Sequence, residues 1–157
     1  MVDTGSSFRR LRFSDTNECI AEIDRIVAAE KAGKLRRSGN WTAGQCLNHV
    51  ACWINYGYEG FPSRAPWFVR LIVKRMLPKY IRDGMPRGVR IPRVAGGTHG
   101  TEDMPIDQAA EKLRTALKRL TTEPAKFESP AFGKLSEEHR LALNLRHAEL
   151  HMGYLHP

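Results

Sequence analysis

Four stretches of this chain repeat apolar residues every three or four positions, and that helical period limits the fold more than any other feature of the sequence. Ile20, Ile23, Ile26 and Val27 make the first stripe. Asp15 opens it, with Glu18 three residues on as a capping-box partner, and Gly33 ends it. The second starts at Thr42, with Gln45 completing the Thr-x-x-Gln form of the box. Leu47, Val50, Ala51 and Ile54 form its core face, and Gln45, His49, Cys52, Trp53 and Tyr56 line an adjoining strip. Gly57, Gly60 and Pro62 stop it. A third begins near Pro105, turns Ala109, Ala110, Leu113, Leu117 and Leu120 inward, and ends before Pro124. Ser136 caps the last, which is predicted to run to His156. Leu141, Leu145, Ala148, Met152 and Leu155 are its buried face, beside a strip of Asn144, His147, His151 and Tyr154. No convincing strand and no internal repeat can be read. The expected fold is all-α, a four-helix bundle.

The middle of the chain is different. Residues 65–81 suggest a short amphipathic helix with Pro66 at its first position, broken by Pro78, and residues 83–103 read as a long glycine- and proline-rich loop. Between Arg64 and Arg93 stand nine basic residues against one acid, Asp83, an excess equal to the net charge of +8 for the whole chain. The expectation is therefore a long basic insertion between the second and third bundle helices, on an otherwise balanced body. A length of 157 residues with 41% hydrophobic content suits a single domain, residues 1–157, with residues 1–10 as a disordered leader. Three cysteines, odd in number and without a CxxC pair, point to a reducing, cytoplasmic setting. No stretch reads as a signal peptide or a transmembrane segment.

His147 and His151 lie four apart, so on a helix they share one face about 6 Å apart along the axis. Two imidazoles so placed can point a nitrogen each at one divalent ion. His49, mid-helix beside core positions, is where an unpaired polar ring would be costly. Facing helices would bring all three toward one side of the bundle interior, a three-histidine set with at least one coordination position open. Zinc and nickel suit such a set best, with iron or manganese behind them. The competing reading keeps the three histidines as a buried polar network without metal. Gln45 and Asn144 sit on the same strips, as ligand-orienting groups or as ordinary polar lining. Glu149 faces away, and the His-Glu-x-x-His protease pattern fails because that Glu must directly follow the first His. Cys52 reads as a fourth soft ligand, a redox thiol or a core filler, and His99 as a lid residue or an exposed loop His. Gly96-Gly97 lacks the spacing and the Lys of a phosphate loop.

Three runs carry a family resemblance. They are Trp41-Thr42-Ala43-Gly44-Gln45-Cys46-Leu47-Asn48-His49, Ser129-Pro130-Ala131-Phe132-Gly133-Lys134-Leu135-Ser136, and His147-x-x-x-His151-Met152-Gly153. With these the chain resembles the DinB/YfiT-like superfamily of metal-binding four-helix bundles, and within it a branch known only as a domain of unknown function. The resemblance implies that His49, His147 and His151 ligate one divalent metal. It also implies a homodimer paired through bundle faces. Relatives often carry a further His where this chain has Leu150, and Arg-Gly-Gln where it has Met152-Gly153-Tyr154.

Two functions follow as expectations. By resemblance, the chain is a metal-dependent thiol S-transferase or hydrolase acting on a small electrophilic molecule, with a low-molecular-weight thiol as a further cofactor. The alternative is a non-catalytic interaction protein whose basic segment, residues 64–93, binds nucleic acid or an anionic surface. A third account of that segment makes it a solvated decoration, its Arg and Lys stems covering apolar surface.

Overall fold

The computed structural model describes residues 8–157, and the leader expected over residues 1–7 lies outside the described residues. Phe8 and Arg9, expected in that leader, make specific contacts: the Phe8 ring meets Tyr154 edge-on at 5.0 Å. The Arg9 amide donates to the Gly153 carbonyl at 2.9 Å, and its guanidinium pairs with Glu22.

Five helices carry the described residues: α1 (Thr16–Lys31), α2 (Ala43–Glu59), α3 (Trp67–Asp83), α4 (Ile106–Thr122) and α5 (Glu137–Met152). The fold is all-α. Capping chemistry sets the helix starts. The Asp15 side chain accepts from the Glu18 amide, and Thr42 with Gln45 closes a reciprocal capping box. Ser136 accepts from the His139 amide at 3.1 Å. Helices α1, α2, α4 and α5 meet around one core, with Ile23, Ile26, Leu47, Val50, Leu113, Leu117, Leu145 and Met152 wholly or almost wholly buried. Helix α3 lies against α5 over a smaller cluster of Leu77, Phe132 and Leu143.

Three expectations are corrected. Helix α3 continues through Pro78 instead of breaking there. Pro78 is exposed, so the Lys74 carbonyl that it orphans can be met by water, and the helix tolerates the loss on that side. The last helix stops at Met152, not His156. Beyond Gly153 and Tyr154 the chain forms a strand, β2 (Leu155–His156), antiparallel to β1 (Arg36–Arg37), with Arg36 opposite His156. Leu155 is buried as expected, but from an extended segment. The loop before α4 holds one 3-10 turn, Ala95–Gly97.

Candidate metal centre

Helix α2 supplies His49 from its middle, and α5 supplies His147 and His151 from successive turns of one face. The rings meet. Centroid separations are 4.3 Å for His49–His151, 4.6 Å for His147–His151 and 5.0 Å for His49–His147. One nitrogen from each ring lies within 4.8 Å of the other two, so the group could hold a metal ion.

The orientation of His49 is set by a residue that sequence reasoning treated only as a side chain. His49 Nδ1 lies 2.9 Å from the carbonyl oxygen of His99. A carbonyl can only accept, so Nδ1 carries the proton and Nε2 keeps its free lone pair. A backbone carbonyl behind a histidine is the usual way to fix a ligand tautomer. The same oxygen accepts from Trp53 Nε1 at 3.3 Å. The His99 ring itself turns elsewhere, to the Ser63 hydroxyl at 2.9 Å.

Two tryptophans wall the cluster. Trp41 stacks on His151 at 5.3 Å with 6° between planes, and meets His49 edge-on at 5.0 Å. Trp53 approaches His147 at 5.8 Å. His49 is buried, and His147 and His151 are half-buried as whole residues.

Burial disfavours the charged form of all three rings. It draws His49 down to about 4, against the His99 and Gly100 backbone contacts and the Glu102 charge. His147 falls well below the ordinary value, with repulsion from His151 and His49 added to burial. His151 falls to about 3 through burial and then His49. Neutral imidazole is the form that binds a cation, so the cluster is held in its ligating state.

The other candidate residues are placed differently. Gln45 uses both ends of its amide away from the rings: Oε1 accepts from the Thr42 amide at 3.0 Å and Nε2 donates to the Thr101 carbonyl at 3.1 Å. Asn144 donates to the Arg140 carbonyl of its own helix at 2.9 Å. Cys52 lies outside the histidine group, with its Sγ 3.2 Å from Lys112 Nζ. Glu149 turns to the other side of α5, as its position required, and accepts from the Phe13 amide at 2.6 Å.

What the sequence reading missed is a strap. Residues 98–104 lie along α2, and α2 holds them one turn at a time. Thr42 bonds Asp103, Gln45 bonds Thr101, Asn48 donates to the Glu102 carbonyl at 2.8 Å, and His49 and Trp53 share His99. The available signal was a polar strip at spacing 42, 45, 48–49 and 53, in which the buried Asn48 and His49 need acceptors from another segment. Glycines let the strap close in. A Cβ on Gly44 would stand 2.0 Å from the Met104 oxygen, and one on Gly100 (φ +71°) would stand 2.7 Å from Cys52 Cβ.

A family model described as "Protein of unknown function (DUF1569)" matches residues 5–157. The chain belongs to the DUF1569 family. The match takes in all three site histidines, the strap and the two tryptophans of this DUF1569 member. No curated protein matches the chain, and no solved structure does.

Proposed function

We propose that this DUF1569 protein is a DinB-like metal protein in which His49, His147 and His151 hold one divalent ion, and that it acts as a thiol S-transferase or hydrolase on a small electrophilic molecule. The observation that carries the reading is the meeting of three imidazoles with one nitrogen each within 4.8 Å of the others, one ring having its tautomer fixed by the His99 carbonyl. Three nitrogen donors suit zinc or nickel first, with iron or manganese as weaker fits, and leave coordination positions for substrate. When bound, the ion supplies Lewis acidity.

The chain's own residues do the rest. His99 holds His49 from behind, and Trp41 and Trp53 pack against the His151 and His147 rings. Three protein ligands leave at least one position at the ion for a small molecule. No acidic residue joins the three-histidine group among the described residues, which favours a reaction needing no carboxylate base at the ion. A low-molecular-weight thiol, itself a soft metal ligand, fits the role of nucleophile.

Elemental analysis of untagged protein tests the site, with about one equivalent of divalent metal per chain expected for three protein ligands and an open position. His147→Ala should lose at least about ten-fold in metal affinity, since even residues behind a ligand are worth that much. Full retention of metal by His147→Ala would remove the ligand assignment. Consumption of a thiol by the loaded protein in the presence of a simple alkylating agent, absent in His147→Ala, tests the reaction.

A further inference from the structure

Helix α3 carries a surface that the metal centre does not use. Trp67, Phe68, Leu71 and Ile72 are 72%, 54%, 54% and 61% exposed. Positions i, i+1, i+4 and i+5 put them on one side of the first two turns. Lys74, Arg75, Lys79 and Arg82, all exposed, continue that side toward the C-terminal end. The opposite side is occupied: Val73, Leu77, Tyr80 and Ile81 pack with Phe132 and Leu143. The bundle therefore fixes which face looks outward, and the four apolar side chains are surplus to its core. Exposed apolar patches of this kind mark interaction sites.

The charges on this face are largely uncompensated. Asp83 is bridged to Arg82 at 2.7 Å, and Glu128 lies 3.3 Å from both Arg64 and Arg70. Among the described residues Lys74, Arg75 and Lys79 have no ion pair. We propose that α3 docks this protein on an anionic lipid bilayer, with Trp67, Phe68, Leu71 and Ile72 entering the interface and Lys74, Arg75 and Lys79 meeting lipid phosphates. Basic helices with an aromatic and aliphatic face lie in bilayer interfaces in this manner. The other partners fit less well. A second copy would set two basic helices against each other. A nucleic acid satisfies the cations and stacks on the aromatic rings, but leaves the branched aliphatic chains of Leu71 and Ile72 in water. A bilayer accepts both. Docking is all that α3 can do there, because no helix among the described residues is long and apolar enough to cross a membrane.

Flotation of the full chain with vesicles is the test, and it does not depend on metal. The protein should float with phosphatidylcholine vesicles containing roughly one-third phosphatidylserine, stay behind with phosphatidylcholine alone, and bind less as salt rises from about 0.1 M to about 0.5 M. Arg75→Gln with Lys79→Gln should weaken binding by about 5-fold per charge removed. Trp67→Ser with Phe68→Ser should weaken it at least about ten-fold. Should that pair lose its helical circular dichroism, quenching by brominated lipids decides: the unmodified chain should show a quenched component that Trp67→Phe lacks. Failure to float with anionic vesicles at low salt overturns the proposal, as does undiminished binding by folded Trp67→Ser, Phe68→Ser. So does tighter binding to single-stranded RNA than to vesicles, or a dimer that this pair of changes dissolves. His147→Ala should float like the unmodified chain, which separates failure of the metal reading from failure of this one.

Discussion

His49 is held in one tautomer by a carbonyl fifty residues away, and its ring remains neutral because it is buried at 1% exposure. That neutrality has a sign that can be measured. In the unfolded chain the ring takes a proton near its ordinary value of 6.5, whereas in the folded, metal-free chain it does so only near 4. Between these values the unfolded state binds more protons, so stability is complete above about pH 6.5 and is lost as pH falls toward about 4. For His49 alone the loss is about 2 kcal/mol at about pH 5, and His147 and His151 act in the same direction. Urea unfolding of chelator-treated protein at about pH 7 and about pH 5 should show it; equal stability would mean that the rings are solvated. At this scale His147 and His151 could be named from helical spacing, and His49 from its mid-helix place beside core positions and from the family resemblance. The roles of Gln45 and His99 could not, because sharing a helix strip does not say which backbone group lies opposite.

Helix α2 and the strap over it form one unit, since side chains from Thr42 to Trp53 hydrogen-bond the loop turn by turn. Gly44 is the closest approach, and any side chain there must displace the Met104 carbonyl. Gly44→Ala should destabilise by about 2 kcal/mol, as overpacking does, lowering the melting temperature by about 4–8 °C. It should also raise hydrogen exchange at residues 98–104. An unchanged melting temperature would show that the strap is free to move. Where elements depended on local chemistry they were legible: the caps at Asp15, Thr42 and Ser136 all open helices. Pro78 and the last turn were misread because solvent on one side, and a pairing strand on the other, outweighed local preference.

Across the whole molecule, α5 faces two ways. One side gives His147 and His151, while the other gives Arg146 and Glu149, 3.0 Å apart and almost wholly buried, which grip both backbone groups of Phe13. The segment before α1 is thereby tied to the helix that carries His147 and His151. Burial pushes the Glu149 carboxyl up to about 7, so the pair is only partly ionised near neutral pH. Glu149→Ala leaves the Phe13 amide and Arg146 without that acceptor and should cost about 1–3 kcal/mol, with protease cleavage near Phe13 as the local readout. Cleavage and stability like those of the unmodified chain would make the clamp inconsequential.

The sequence alone determined the helical class, most of the helix starts and the three rings to watch, because periodicity and capping act over three or four residues. Only the tertiary structure decided which carbonyl stands behind His49, which tryptophans flank the cluster, and which side of α3 is left in solvent. Those outcomes depend on the packing of segments tens of residues apart, where burial and the need to pair every buried polar group select one arrangement that no local pattern encodes.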